Sequence, residues 1–235
     1  MKHIIYLSIF CFSLSLTAQN NDALIKHYEA YYQQMQMQGD VQGIINAMTH
    51  LNILKPSEAR KDTLAYIYLQ NNKFSQALNT IGIDNKDSDS DIAIEVKAVA
   101  LKNLGEFERA IPFYTKIYNK TKNALVAYEI AELNLNINNL TQAKAYINLG
   151  MPGIKEKQGK TYYETQQPYT VPLKAAFTYL DALVKYNQDK VANIDLAIKK
   201  LDEALALAPN FNMAILAKNA LTQQKTPKTT TETKE

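Results

Sequence analysis

Asn72-Lys73-Phe74-Ser75-Gln76-Ala77, Gly105-Glu106-Phe107-Glu108-Arg109-Ala110 and Asn138-Asn139-Leu140-Thr141-Gln142-Ala143 are three copies of one short pattern. Gly39-Asp40-Val41-Gln42-Gly43-Ile44 precedes them in the same register, so that Ile44, Ala77, Ala110 and Ala143 follow one another at steps of 33 residues. Each position has a physical task. Gly or Asn tolerates the left-handed backbone that ends one helix and opens a tight turn. The apolar residue two further on enters the next helix. The residue three beyond it, small in three of the copies, lets two helix backbones approach. One helical turn later come Met48, Ile81, Tyr114 and Ile147, again apolar.

The stretches before these turns have helical periodicity, as at Leu64, Ala65, Tyr68 and at Ala127, Ile130, Ala131. Each unit therefore reads as a helical hairpin that must stack on its neighbours to bury its apolar face. Working outward gives helices over about 22–38, 41–54, 58–70, 73–82, 91–103, 106–119, 123–136 and 140–149. Pro172 opens a further helix to about 187, where its missing N–H costs nothing, and 191–207 pairs with it. Helix 211–223 reads as a polar-faced cap. Seven Gly and seven Pro in 235 residues are too few for a turn-rich β protein.

These residues resemble the tetratricopeptide repeat (TPR). Ala110-Ile111-Pro112-Phe113-Tyr114 matches its Ala-x-x-x-aromatic second helix, and Pro56 and Pro209 match its terminal Pro. The run Ala197-Ile198-Lys199-Lys200-Leu201-Asp202-Glu203-Ala204-Leu205-Ala206-Leu207-Ala208-Pro209-Asn210 is the fullest match. Departures are the absence of Trp, Lys97 and Asn134 at normally apolar positions, and Asp84 and Gly150 on the second-helix pattern. The expected fold is all-α: a solenoid of about five antiparallel TPR-like hairpins with a C-terminal capping helix. Ile44, Ala77, Ala110, Ala143 and Ala197 are its expected packing contacts. The resemblance implies a concave groove, lined by first helices, that holds a peptide. Carried across in register, the groove residues are Gln33, Gln36, Asp62, Tyr66, Glu95, Lys102, Tyr128 and Glu132. Tyr66 and Tyr128 have a second reading, as packing between hairpins.

Residues 150–171 interrupt the rhythm and exceed the usual hairpin connection. With Tyr162, Tyr163 and Tyr169, this insertion is expected to fold back over the array as an ordered extended loop. Partner contact and a plug over a helix face are both open for it.

The N-terminus is expected to be a signal peptide over 1–18. Lys2-His3 begin it, Ile4 to Leu16 form an apolar run, and Leu16-Thr17-Ala18 offers a cleavage site. Ile9-Phe10 before Cys11 do not suit lipid attachment, and cleavage removes the one cysteine. That leaves 19–224 as the repeat domain and 225–235, devoid of apolar residues, as a disordered tail. Periplasmic location is expected.

Few residues invite catalysis. Gly153 to Gly159-Lys160-Thr161 has the wrong glycine spacing for a phosphate loop and follows a helix, not a strand. Asp87-Ser88-Asp89-Ser90-Asp91 lacks the Gly and terminal Glu of a calcium loop and reads as a solvated loop with a helix cap. His27 and His50 lack companion ligands, and paired acids such as Glu106 and Glu108 read as solvated faces. Net charge is +3 with no basic stripe, against nucleic-acid binding. The expectation is a non-catalytic adaptor or assembly factor of the bacterial envelope. It has a protein or peptide partner, no cofactor, no metal and, after cleavage, no stable membrane insertion. A structural, self-associating component is the alternative, with homo-oligomers admitted; an enzyme of unrecognised type is a third reading.

Overall fold

The computed structural model describes residues 21–225. The expected signal segment, Cys11 and the tail beyond Lys225 lie outside them. The described residues divide into two compact units, one up to Leu104 and one from Gly105 onward. The hairpin expected over 91–119 straddles that division, so its two helices are described with their own units.

The first unit holds α1 (21–38), α2 (Val41–Leu54), α3 (Glu58–Gln70), α4 (Phe74–Ile81) and α5 (Asp91–Asn103). α3 contacts α2, α4 and α5, and α4 also contacts α5. That is the stacking rule of a repeat array: a first helix touches its own partner and the first helix of the next hairpin. Starts are capped where the sequence supplies an acceptor. Asp40, Ser57 and Ser90 accept from the N–H groups of Gly43, Arg60 and Ala93. Ile45, Met48 and Leu64 form a buried cluster, with Tyr32, Ile44, Ile67 and Tyr68 packed around it.

The second unit holds α6 (Phe107–Thr121), α7 (Ala124–Asn136), α8 (Leu140–Gly150), α9 (Leu173–Gln188), α10 (Ile194–Leu207) and α11 (Asn212–Lys225). Here α7 contacts α6, α8 and α9, and α9 contacts α8 and α10. Asp181 of α9 ties its neighbours together, accepting from Lys144 of α8 and from Lys200 of α10. Burial opposes its ionisation, but the two ammonium groups outweigh burial and hold the carboxyl below its ordinary range.

The turn positions behave as their residue types require. Gly39, Asn72, Gly105 and Asn138 all have positive φ, at 69°, 56°, 79° and 58°. Ala77, Ala110, Ala143 and Ala197 are fully buried. Ile44 is the exception: it is half-buried, and the close approach is made one residue earlier. A Cβ on Gly43 would overlap Met35 Sδ of α1. Gly150, on the second-helix pattern, does the same in the second unit, where a Cβ would overlap Phe177 Cζ and come within 2.9 Å of Ala127 Cβ. Phe177 is fully buried and cannot step aside. Gly150→Ala is therefore expected to lower stability by about 1–3 kcal/mol in urea titrations. Gly153→Ala is its control, since a Cβ there finds only ordinary contacts at 3.8 Å and 3.9 Å. Equal midpoints for the two variants would mean that α8 and α9 are not packed this closely.

The insertion is more regular than expected. After a 3-10 turn, Met151–Gly153, it forms an antiparallel β-hairpin of β1 (Gly159–Tyr162) and β2 (Tyr169–Pro172). Lys160 pairs with Val171 and Tyr162 with Tyr169 in register. Thr161 and Thr170 join hydroxyls on the opposite face at 2.9 Å. Both strands contact α9.

The Asp87–Asp91 loop is only partly solvated. Ser90 caps α5 as expected, but Asp89 is buried against Lys97, whose ammonium has no solvent exposure. Lys97 Nζ donates to Asp89 Oδ1 at 2.7 Å and to the Asp84 carbonyl at 2.8 Å. Asn134 is buried too, its amide donating to the Ile130 carbonyl at 2.8 Å. Both polar departures from the repeat pattern are thus satisfied inside the core.

Candidate binding surface

In the first unit the expected groove residues fall on three helices. Gln33 and Gln36 are exposed on α1, and Gln36 donates to the Tyr32 hydroxyl at 2.8 Å. Asp62 and Tyr66 lie one turn apart on α3, Tyr66 being 37% exposed. Asp62 accepts from Ser90 Oγ at 2.6 Å, which fixes the start of α5 against α3. On α5, Glu95 is exposed and Lys102 half-buried. Pattern reading missed a cleft of about 360 Å³ between α1, α2 and α3, lined by Glu29, Tyr32, Met48, Leu51, Ala59, Arg60 and Thr63. Arg60 shapes it by donating to the carbonyls of Leu51 and Lys55, at 3.1 Å and 2.7 Å, where α2 ends. Nothing in the repeat pattern marks Arg60, which reads as one more polar helix residue.

In the second unit the expected groove is occupied by the chain itself. Tyr128 is fully buried, not presented to a partner, because β1 lies over it. Its hydroxyl is 2.7 Å from that of Tyr162 and donates to Glu132 at 3.4 Å. Lys160 of β1 pairs with Glu129 and sits 5.0 Å above the Tyr128 ring. Tyr162 also stacks on Tyr169 at 5.7 Å and meets Phe211 at 4.9 Å, and Tyr179 of α9 completes the cluster. Tyr169 reaches the start of α11, where Met213 N–H donates to its hydroxyl at 3.4 Å. Of the insertion tyrosines, Tyr162 is buried, Tyr169 half-buried, and Tyr163 is 76% exposed.

Burial pushes the Tyr128 and Tyr162 hydroxyls well above their ordinary range. Burial likewise raises Tyr169 and Tyr179 to about 12. All four are neutral phenols near pH 7, suited to hydrogen bonding and packing rather than to abstracting protons. Lys160, in the stretch compared with a phosphate loop, lies within a strand and is engaged by Glu129. His50 stacks on Tyr28 at 4.3 Å and His27 meets the same ring edge-on. Among the described residues no three His, Cys, Asp or Glu side chains gather as a metal site would need. No helix among them is long and apolar enough to cross a membrane.

No family model and no curated protein matches this sequence. Solved structures do. A tetratricopeptide repeat protein from Parabacteroides merdae ATCC 43184 superposes with a TM-score of 0.60 at 14% identity, over 85% of this chain and 72% of its own. YrrB, a TPR protein with an unusual peptide-binding site, superposes with a TM-score of 0.61 at 14% identity, over 88% of this chain and 97% of its own. Identity this low establishes the fold alone.

Proposed function

We propose that this chain, whose fold is the all-α TPR type, is a non-catalytic adaptor or assembly factor of the bacterial envelope. It holds a protein or peptide partner against the first unit, over α1, α3 and α5. The observation that carries this reading is the contrast between the two expected groove surfaces. Tyr66, Gln33, Gln36 and Glu95 remain open to a partner, whereas Tyr128 lies beneath the chain's own hairpin. A half-exposed tyrosine offers apolar area with a polar tip, the usual make-up of an interface anchor. YrrB, similar in fold, is a TPR protein with a peptide-binding site, which favours a peptide or protein as the ligand class. The envelope assignment rests on Lys2-His3, the apolar run Ile4 to Leu16, and the small residue Ala18.

The test is a crosslinking pull-down from an envelope fraction, comparing wild type with Tyr66→Ala. Partner recovery is expected to fall roughly tenfold, with the thermal midpoint nearly unchanged because Tyr66 is not in the core. Full recovery with the variant would remove the α3 surface from consideration. Recovered protein beginning at Gln19 supports export; a retained Met1 in that fraction speaks against it.

A further inference from the structure

We infer that the cleft at the base of the β-hairpin docks an acidic peptide segment of a partner protein, one that also carries apolar side chains. The cleft measures about 390 Å³ and lies within the second unit, where Gly159, Thr170 and Pro172 of the hairpin border it together with Ile154. Ile154, half-buried, and Pro172, exposed, supply its accessible apolar floor, with the fully buried Val171 and Leu173 beneath them. Its cationic rim is Lys155, Lys157 and Lys174.

Charge complementarity names the occupant. All three lysines are exposed, and none is ion-paired with another described residue. No carboxylate lines the cleft; Glu156, between two of the lysines in sequence, is not among its walls. The turn carrying Lys155 and Lys157 is held in place, and Lys174 stands in the first turn of α9. Gln158 N–H donates to the Lys155 carbonyl at 3.1 Å, the Gln158 side chain accepts from Lys155 N–H at 3.0 Å, and Leu173 N–H closes on the Gln158 carbonyl at 2.8 Å. Three unneutralised cations on a fixed frame around an apolar floor favour a ligand with carboxylates flanking an aliphatic side chain. A basic segment is repelled by the same rim.

This inference is independent of the reading given to α1, α3 and α5, and separate variants test the two. The probe is a short fluorescein-labelled peptide of alternating Glu and Val, followed by fluorescence anisotropy with the chain beginning at Gln19. A Lys and Val peptide of equal length is the charge control. Wild type is expected to bind the acidic probe and not the basic one. Lys155→Glu/Lys157→Glu/Lys174→Glu is expected to weaken binding at least tenfold, about the effect of reversing rim charges. Lys26→Glu/Lys190→Glu/Lys199→Glu makes the same change in net charge on lysines that are exposed elsewhere. It is expected to bind nearly as wild type does, as is Tyr66→Ala. Because the side chains of the rim lysines join no ion pair, circular dichroism should match wild type; a Gln triple variant replaces the Glu one if it does not. Equal binding by both triple variants, or of both peptides, overturns the inference. So does stronger retention on phosphatidylglycerol vesicles than on the peptide, or a self-association that the rim variant abolishes.

Discussion

Tyr162→Ala is expected to cost about 3–5 kcal/mol, the range for removing a large buried ring, and to release the hairpin from the helices beneath it. The side chain joins three parts of the second unit: it meets Tyr128 of α7 hydroxyl to hydroxyl, stacks on Tyr169 of β2, and contacts Phe211 ahead of α11. Truncation leaves the Tyr128 phenol in a fully buried position with only its 3.4 Å contact to Glu132 among its two hydroxyl partners. Tyr162→Phe keeps the rings and removes the hydroxyl pair, so about 1–2 kcal/mol is expected for it. Tyr163→Ala, at the exposed neighbour, should stay within about 0.5 kcal/mol of wild type. Urea titration ranks the variants, and hydrogen exchange at 159–172 reports whether the hairpin opens. Identical midpoints for Tyr162→Ala and Tyr163→Ala would show that the hairpin merely rests on the helices.

Lys97→Ala is expected to be comparably severe, at about 3–5 kcal/mol, because it strands a buried charge. The ammonium of Lys97 donates to both the Asp89 carboxylate and the Asp84 carbonyl. With the lysine gone, Asp89, its side chain only 8% exposed, keeps the Lys86 N–H at 3.2 Å but loses its cation. Lys97→Met preserves most of the volume and separates charge from packing. Adding Asp89→Asn to Lys97→Met should restore a large part of the loss, since no uncompensated buried charge then remains. Thermal or urea unfolding of the single and double variants gives the coupling directly. A loss below about 1 kcal/mol for Lys97→Ala would contradict the assigned ion pair.

The parts of the fold that were legible are those that depend on local rules. Gly39, Asn72, Gly105 and Asn138 announce left-handed turns because few other residues enter that region cheaply. Ala77, Ala110, Ala143 and Ala197 announce close helix contacts because the repeat holds them in step. Ile44 does pack, against the Ile45, Met48 and Leu64 cluster, but the closest helix approach falls to the neighbouring Gly43, which has no side chain and meets Met35. Lys97 stands out in the sequence as a charge at an apolar repeat position, but its partner Asp89 sits in a loop whose alternating acids look solvated. The fate of Tyr128 was not legible from α7 at all, since it is decided by a hairpin more than thirty positions later, Tyr162 lying 34 residues on. A signal for that hairpin does exist. Lys160, Tyr162, Tyr169 and Val171 alternate with Gly159, Thr161, Thr170 and Pro172, but four residues per strand is a weak period-two pattern within a helical sequence.

The pairing of the two strands also governs how this molecule behaves in a crowd of its own copies. Leu173 N–H bonds to the Gln158 carbonyl, so the next ladder exchanges fall at Lys160 with Val171 and at Tyr162 with Tyr169. The outward-directed backbone along this border then belongs to Pro168, just ahead of β2, and to Thr170 and Pro172 within it. Proline has no N–H to offer, so two of the three backbone donors on that side are missing. A strand from another chain finds no continuous template there, and the only sheet in the described residues is protected along that border against the edge-to-edge growth that leads to aggregation.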